Sequence, residues 1–242
     1  EPKNYDGQFE GPMSVRRALA KSKNMVSIRV LQLVGTQSAQ DWVTRFGFEA
    51  DKHPPFLTMA LGAGSVTPLQ MVTGYAVFAN GGHRVAPVLI TRVTDSRGHV
   101  LYEAPQTTLD NAPRAIEPRN AFIMNSLLQE ITRSGTAARA QAILKRNDLY
   151  GKTGTTNDAV DAWFVGYQPT LAAAAWVGYD TPRNLGSRET GGGLALPMWI
   201  SFMQEMLKDV PITPITTVPP GVINVGGEWY YDEYGPGNGV TS

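Results

Sequence analysis

Residues 149–179 read LYGKTGTTNDAVDAWFVGYQPTLAAAAWVGY, and this stretch decides the fold. It contains three strand candidates, at residues 149–156, 162–168 and 171–179, each bounded by polar or turn-forming residues. The second and third candidates are joined by the short turn Gln168-Pro169-Thr170, which predicts an antiparallel pair. The later part of the chain is therefore expected to form an antiparallel sheet.

The chain that precedes this stretch has mostly helical patterning. Capping residues and apolar spacing predict helices over residues 14–21, 25–34, 39–46, 67–80, 118–133 and 136–144. Residues 51–66 are expected to be a loop, and residues 88–94 and 99–103 a β-hairpin around Asp95-Ser96-Arg97-Gly98. Beyond the sheet, Gly191–Gly193 predicts a flexible break before a last helix over residues 196–207.

This order of elements predicts an α/β (α+β) fold. Helices that come first and a sheet that comes late indicate an antiparallel sheet flanked by helices, with a helical subdomain beside it. We expect residues 1–210 to form this domain in part. Residues 211–242 are rich in Pro and Gly with few periodic apolar positions, so they are expected to be an appended tail.

Composition excludes several classes of function. The 242 residues carry 21 basic and 21 acidic side chains, so the net charge of zero gives no basic surface for nucleic acid. There is no cysteine, and the three histidines (His53, His83 and His99) have no zinc-ligand spacing, so we expect no metal site. No stretch of 18 apolar residues is present. The start at Glu1, without Met or an apolar leader, is expected of a processed or excised segment.

The motif with the clearest chemistry is Gly-Lys-Thr-Gly-Thr-Thr at residues 151–156. A phosphate-binding loop needs a glycine five residues before Gly151, and Arg146 occupies that position, so a nucleotide site is excluded. The remaining alternatives are a plain Gly turn with an exposed lysine, or the Lys-Thr-Gly element of active-serine enzymes that recognise penicillin.

On a strand, this second alternative predicts an anion site. Lys152 would supply a point charge for a carboxylate, and the absence of a side chain at Gly154 would let a peptide backbone approach. Thr153 and Thr155 lie two residues apart, so their hydroxyls would share one face and donate to that carboxylate. The backbone N–H of Thr155 would form half of an oxyanion hole.

A second element, Ser22-Lys23-Asn24, precedes the first by more than a hundred residues. Its serine hydroxyl would relay a proton to a leaving amine, and its asparagine amide would hold a substrate backbone. Any Ser-x-Asn can also be a helix-capping turn. The order of the two elements, with helices and a hairpin between them, favours a catalytic site with Ser22, Asn24 and Lys152 as catalytic residues and Thr153, Gly154 and Thr155 as substrate-binding residues.

Longer blocks of the sequence extend these two elements, namely Asn4-Tyr5-Asp6-Gly7, SVRRALAKSKNMVSIRV (14–30), LGAGSVTPLQMVTGYAVFANGG (61–82), GKTGTTNDAVDAWFVGYQP (151–169) and AAWVGYD (174–180). In these blocks the chain resembles the transpeptidase domain of the class A (bifunctional) penicillin-binding proteins. Class A β-lactamases share the short elements, but not the Thr-Pro-Leu-Gln helix or the Trp-Phe-Val-Gly-Tyr strand.

The resemblance implies a penicillin-binding protein/β-lactamase-like fold and a serine-type peptidoglycan D,D-transpeptidase. In such an enzyme a serine attacks the D-Ala-D-Ala bond of a stem peptide, releases D-Ala and passes the acyl group to an amine, and β-lactams acylate the same serine. No cofactor is implied. The implied location is the periplasmic side of the bacterial cytoplasmic membrane, on an N-terminal anchor outside this chain, with a glycosyltransferase domain in the N-terminal remainder.

The nucleophile of such an enzyme stands in a Ser-x-x-Lys element, which this sequence lacks. The residues three positions before its lysines are Ala18, Ala20, Glu49, Ala142, Leu149 and Glu205. We therefore expect the nucleophile to precede Glu1. A D,D-carboxypeptidase, a monofunctional transpeptidase, and a sensor that binds β-lactam or peptide without turnover remain as alternatives.

Overall fold

The computed structural model describes Asn4, Gly7 and residues 9–186 and 189–237. Tyr5 and Asp6, which belong to the first block of the resemblance, lie outside the described residues, as do residues 238–242 of the expected tail.

The first third of the chain is helical, as the sequence predicts. Helix α1 spans Val15–Ala20, α2 spans Asn24–Val34 and α3 spans Thr36–Val43. The hydroxyl of Ser14 caps α1 by accepting from the backbone N–H of Arg17 at 3.2 Å. The predicted loop over residues 51–66 contains short 3₁₀ turns at Ala50–Lys52 and Leu57–Leu61.

Helix α4, Pro68–Ala79, begins at a complete capping box. Thr67 accepts from the backbone N–H of Gln70 at 3.1 Å, and the Gln70 side chain accepts from the N–H of Thr67 at 2.9 Å. After α4, strands β1 (Arg92–Thr94) and β2 (Val100–Glu103) form the predicted antiparallel hairpin.

Helices α5 (Pro118–Arg133) and α6 (Ala138–Leu144) complete the helical part before the sheet. The bounds of α5 are those that the sequence predicts, because Pro at the first turn and Ser134-Gly135 at the end define both limits. With 16 residues, α5 falls short of the ~20 apolar residues that a bilayer requires. Across the described ranges, no helix is both long and apolar enough to cross a membrane.

The sheet is antiparallel and has the order β3-β4-β5, with β3 at Tyr150–Thr155, β4 at Ala162–Gln168 and β5 at Leu171–Val177. Tyr150 pairs with Tyr167, and Gln168 pairs with Leu171 across the tight turn. The three predicted strands and the predicted antiparallel pair are thus confirmed.

Helices cover both faces of this sheet. On one face, Trp199 of the last helix α7 (Leu196–Met206) contacts Phe164 edge-on, with ring centroids 4.9 Å apart. On the other face, Tyr75 of α4 contacts Tyr167 edge-on, with ring centroids 6.4 Å apart, and the Tyr167 hydroxyl donates to Asn125 of α5. The predicted mixture of helices and an antiparallel sheet is therefore confirmed.

Residues 211–237 pack against the helices and the sheet. Strands β6 (Val222–Val225) and β7 (Glu228–Tyr231) form a hairpin, from which Trp229 contacts Phe122 of α5 at 5.0 Å. The Glu228 carboxylate accepts from Arg16 Nε of α1 at 2.7 Å. The division at residue 210 stays a prediction, and the described part of the tail is anchored to both α1 and α5.

Candidate active site

Ser22 and Lys152 meet although 130 residues separate them in the sequence. Ser22 lies in the turn between α1 and α2 with a positive φ of 54°, a backbone conformation that residues other than glycine seldom adopt. Its Oγ accepts a hydrogen bond from Lys152 Nζ at 2.7 Å, and the same ammonium donates to the carbonyl of Thr153 at 2.9 Å. The structure therefore brings together one predicted residue from each of the two sequence elements.

Burial lowers the pKa of Lys152 from its ordinary value of 10.5 to about 8. The cause is desolvation, which disfavours the charged ammonium. At neutral pH most molecules keep the proton, and the ammonium is satisfied by the hydroxyl of Ser22 and the carbonyl of Thr153. A lysine with this pKa is poised to exchange a proton with a neighbouring hydroxyl.

Lys152 and the two threonines occupy opposite faces of β3. Thr153 pairs with Phe164 and Thr155 with Ala162, so the hydroxyls share a face, as the sequence predicts. Lys152 pairs with Val165 and lies on the other face, where it reaches Ser22. The two faces meet at the edge of β3, where Lys152, Thr153 and Thr155 line the same cavity from different sides of the strand. Their joint contact with one carboxylate stays a prediction.

The turn before α7 packs tightly on β3. Gly191–Ala195 forms a wide helical turn that continues into α7, and Thr190 Oγ1 accepts from the N–H of Gly193 at 3.0 Å. The N–H of Gly191 donates to Thr155 Oγ1 at 3.0 Å. A Cβ at Gly191 would lie 2.3 Å from the carbonyl oxygen of Trp163 and 2.4 Å from that of Gly154. The prediction of a flexible break at Gly191–Gly193 is therefore wrong.

A cavity of about 500 Å³ opens beside this part of β3. Residues 152–156 of β3 and its following turn, together with Asp161, form its polar wall. Its apolar wall comes from the segment before α4, from α4 and from β4, and includes Met59, Leu61, Val66, Met71, Tyr75 and Val165. The cavity is large enough for a peptide-sized ligand or an inserted chain segment.

Two tryptophans line the same cavity. The rings of Trp163 and Trp176 lie 5.8 Å apart, and Trp176 Nε1 donates to Asp161 Oδ1 at 2.9 Å. Trp176 is 40% exposed, so its ring borders the cavity and is not part of the buried core. The Asp161 carboxylate therefore fixes the orientation of this indole.

Sequence reasoning missed Thr136, which follows the break at the end of α5. Its Oγ1 lies 2.7 Å from Thr153 Oγ1, and its backbone N–H donates to the carbonyl of Ala20 at 3.0 Å. The sequence marks Ser134-Gly135 only as a helix end, and no pattern in it indicates which distant strand this turn contacts.

The middle residue of Ser22-Lys23-Asn24 has a structural role. The Lys23 side chain is 3% exposed, and its Nζ lies 2.8 Å from Glu10 Oε1. Hydrogen bonds from Lys23 and Arg17 hold the pKa of the Glu10 carboxyl below its usual value. Asn24 is half-buried and begins α2, and its catalytic role stays a prediction.

A family model described as the penicillin binding protein transpeptidase domain matches residues 2–199 of the chain. Among curated proteins, the chain is 46% identical over 233 residues to penicillin-binding protein 1A of Neisseria flavescens, covering 96% of this chain and 29% of that protein. It is 40% identical over 270 residues to penicillin-binding protein 1A of Pseudomonas aeruginosa, covering 93% of this chain and 33% of that protein. The chain thus spans about a third of the length of these relatives.

Solved structures give the same result. The crystal structure of penicillin-binding protein 1A from Haemophilus influenzae superposes with a TM-score of 0.85 at 34% identity, covering 92% of this chain and 38% of that one. The structure of PonA1 from Mycobacterium tuberculosis superposes with a TM-score of 0.78 at 25% identity, covering 93% and 63%.

Proposed function

The chain belongs to the penicillin-binding protein transpeptidase family, and we propose that it forms part of a serine-type D,D-transpeptidase that cross-links peptidoglycan stem peptides. The observation that carries this proposal is the contact between Lys152 and Ser22, made at 2.7 Å beside the hydroxyl-lined edge of β3. In the proposed reaction a serine outside these residues attacks the D-Ala-D-Ala bond, D-Ala leaves, and an amine takes the acyl group.

The proposed role of Ser22 is proton transfer to the leaving amine. Its Oγ accepts from Lys152, so its own hydrogen is free to point toward a substrate nitrogen. As that hydrogen moves to the amine, the ammonium of Lys152 can replace it, because burial places the pKa of this lysine at about 8. The two side chains together would move one proton without leaving a buried alkoxide.

The proposed role of the β3 edge is to hold the terminal carboxylate. Thr153 and Thr155 share a face, and Thr155 Oγ1 accepts from Gly191, which leaves its hydrogen available for a ligand. Gly154 carries no side chain on the face of β3 that it shares with the cavity, so a peptide backbone can approach the strand there. The missing side chain of Gly191 lets the turn before α7 pack directly on β3. The N–H of Thr155 as part of an oxyanion hole remains a proposal.

The segment that carries the nucleophile would lie against the cavity. Met59, Met71, Tyr75 and Val165 form an apolar wall that faces Lys152 and Thr153 across about 500 Å³. An amphipathic segment that covers this wall would bring a serine at its end toward the polar edge. The chain spans about a third of its curated relatives, which leaves ample length for such a segment.

For the whole protein we propose the setting that the resemblance implies. Its partners would be peptidoglycan stem peptides, β-lactams and the N-terminal remainder of the same protein, and it would act without a cofactor. It would lie on the periplasmic side of the bacterial cytoplasmic membrane, held by an anchor outside these residues.

Intact and peptide mass spectrometry of the full-length protein, with and without penicillin, tests the proposal. We expect a covalent adduct on a serine outside these 242 residues, and release of D-alanine from a stem peptide. A penicillin adduct within residues 1–242 would contradict the assignment of the nucleophile. A protein that is acylated by penicillin but never releases D-alanine from a stem peptide is a sensor. Transfer of the acyl group to water alone, with no amine acceptor, indicates a carboxypeptidase.

A further inference from the structure

We propose that Thr136 is a positioning residue, which orients the Thr153 hydroxyl so that the edge of β3 selects ligands with a free carboxylate. The proposal rests on the proposed function of the β3 edge as the carboxylate site. It is carried by the short hydroxyl contact, 2.7 Å between Thr136 Oγ1 and Thr153 Oγ1.

The backbone around Thr136 is fixed by the other parts of the site. The N–H of Thr136 donates to the carbonyl of Ala20, two residues before Ser22. A Cβ at Gly135 would lie 2.3 Å from that same carbonyl oxygen, so this turn lies directly against the end of α1. A Cβ at Gly192 would lie 3.2 Å from the carbonyl oxygen of Thr136. Three segments of the site therefore meet at this threonine.

Hydrogen-bond counting explains what Thr136 contributes. Each threonine hydroxyl has one hydrogen to donate and can accept from others. If Thr136 donates to Thr153 Oγ1, the hydrogen of Thr153 is directed away from Thr136 and is free for a carboxylate oxygen. The hydroxyl rotor of Thr153 is then set before the ligand arrives, which strengthens its bond to a charged acceptor. Thr136 itself is exposed, so no packing requirement accounts for its hydroxyl.

The proposal predicts an effect on ligands with a free acid and no effect on their amides. The probes are N-acetyl-D-alanine and N-acetyl-D-alanine amide, and their dissociation constants with the full-length protein are measured by NMR titration. Thr136→Val keeps the shape but removes the hydroxyl, and we expect it to weaken acid binding about 3- to 10-fold, the effect of one hydrogen bond. Binding of the amide stays unchanged.

Further variants separate orientation from folding. Thr136→Ser keeps a hydroxyl and should restore the acid preference, whereas Thr136→Ala should behave as Thr136→Val does. Thr94→Val, at an exposed threonine of β1 outside the site, is the matched control and should bind both probes as the wild type does. Equal loss of acid and amide binding, no loss of either, or failure of Thr136→Ser to restore the preference would overturn the inference.

The same protein samples distinguish this inference from the proposed function. A wild-type protein that prefers the acid but releases no D-alanine from a stem peptide contradicts the proposed transpeptidase function. The same result leaves carboxylate selection at the edge of β3 unchallenged. A wild-type protein that releases D-alanine but binds acid and amide equally contradicts the role of Thr136.

Discussion

Lys152 lies between two oxygens, with its Nζ 2.7 Å from Ser22 Oγ and 2.9 Å from the carbonyl of Thr153. Neither oxygen is a carboxylate, so the charge of this ammonium is not neutralised by these two contacts. Its protonation should therefore control how well the β3 edge attracts an anion.

The first prediction concerns pH. Because the pKa of Lys152 is lowered to about 8, affinity for N-acetyl-D-alanine should be constant below this pH and fall as the pH rises through it. The ligand carboxylate stays ionised throughout, so its own titration does not contribute. NMR titrations between pH 6 and 10 measure the effect, with Lys152→Arg as the variant whose charge does not titrate. An affinity that is flat in the wild type, or rises with pH, contradicts the prediction.

The lowered pKa of Lys152 also determines how the stability of the folded protein changes with pH. Between pH 8 and 10.5, Lys152 binds fewer protons in the folded protein than in the unfolded chain. The destabilising contribution of Lys152 to the free energy of unfolding therefore decreases as the pH rises through this window. The buried ammonium of Lys152 therefore destabilises the folded protein most at neutral and acid pH.

The second prediction concerns Ser22. Ser22→Ala should lower kcat for D-alanine release about 100-fold or more, because proton transfer to the leaving amine loses its relay. Ser27→Ala is the matched control, since Ser27 lies on α2 and its hydroxyl donates to the carbonyl of Lys23 at 3.4 Å. Steady-state kinetics on the full-length protein measure both variants. Equal activity of the two variants would exclude Ser22 from the chemistry.

The third prediction concerns the glycine turn before α7. Gly191→Ala places a methyl group 2.3 Å from the carbonyl oxygen of Trp163, so the turn or β3 must move. Urea unfolding should show a loss of about 1–3 kcal/mol, the usual cost of overpacking. Gly192→Ala is the comparison, because its closest new contact is 3.2 Å, and it should lose less. The idea fails if the two variants are equally stable.

The sequence predicts the regular elements well and the contacts between distant segments poorly. Helix α5 and the pair β4 and β5 follow from local signals, namely a proline at a helix start and a three-residue turn between apolar runs. The contacts of Thr136 with Thr153 and of Gly191 with Gly154 depend on tertiary packing, which no local pattern records. Lys152 is intermediate, since its motif indicates chemistry but the alternation of the strand decides which way it points.

The fourth prediction concerns Asp148, which is fully buried before β3. Burial raises its pKa, but hydrogen bonds from Arg146, the N–H of Thr213 and Gln168 outweigh this and leave the pKa lowered. Asp148→Asn should cost about 3–5 kcal/mol in urea unfolding, since it leaves the Arg146 charge without its partner. With a lowered pKa, the contribution of Asp148 is present at neutral pH and is lost only as the pH falls through that value.

A control for Asp148 is available on the hairpin. Asp95 is also lowered in pKa, chiefly by the backbone N–H of His99, but it lies at an exposed turn. Asp95→Asn should therefore change the urea midpoint much less than Asp148→Asn does. Similar midpoints for the two variants would show that the contact of Asp148 with Arg146 does not stabilise the fold.

The anchoring of residues 210–215 has a consequence for the order of synthesis. Arg146 bonds the carbonyl of Val210, Asp148 accepts from Thr213, and the hydroxyl of Tyr150, the first residue of β3, accepts from the N–H of Ile215. Each contact joins residues 64 or 65 positions apart. A ribosome therefore releases the strand that bears Lys152 well before it releases the segment that steadies it. The nascent chain cannot form these three hydrogen bonds until residues 210–215 have emerged.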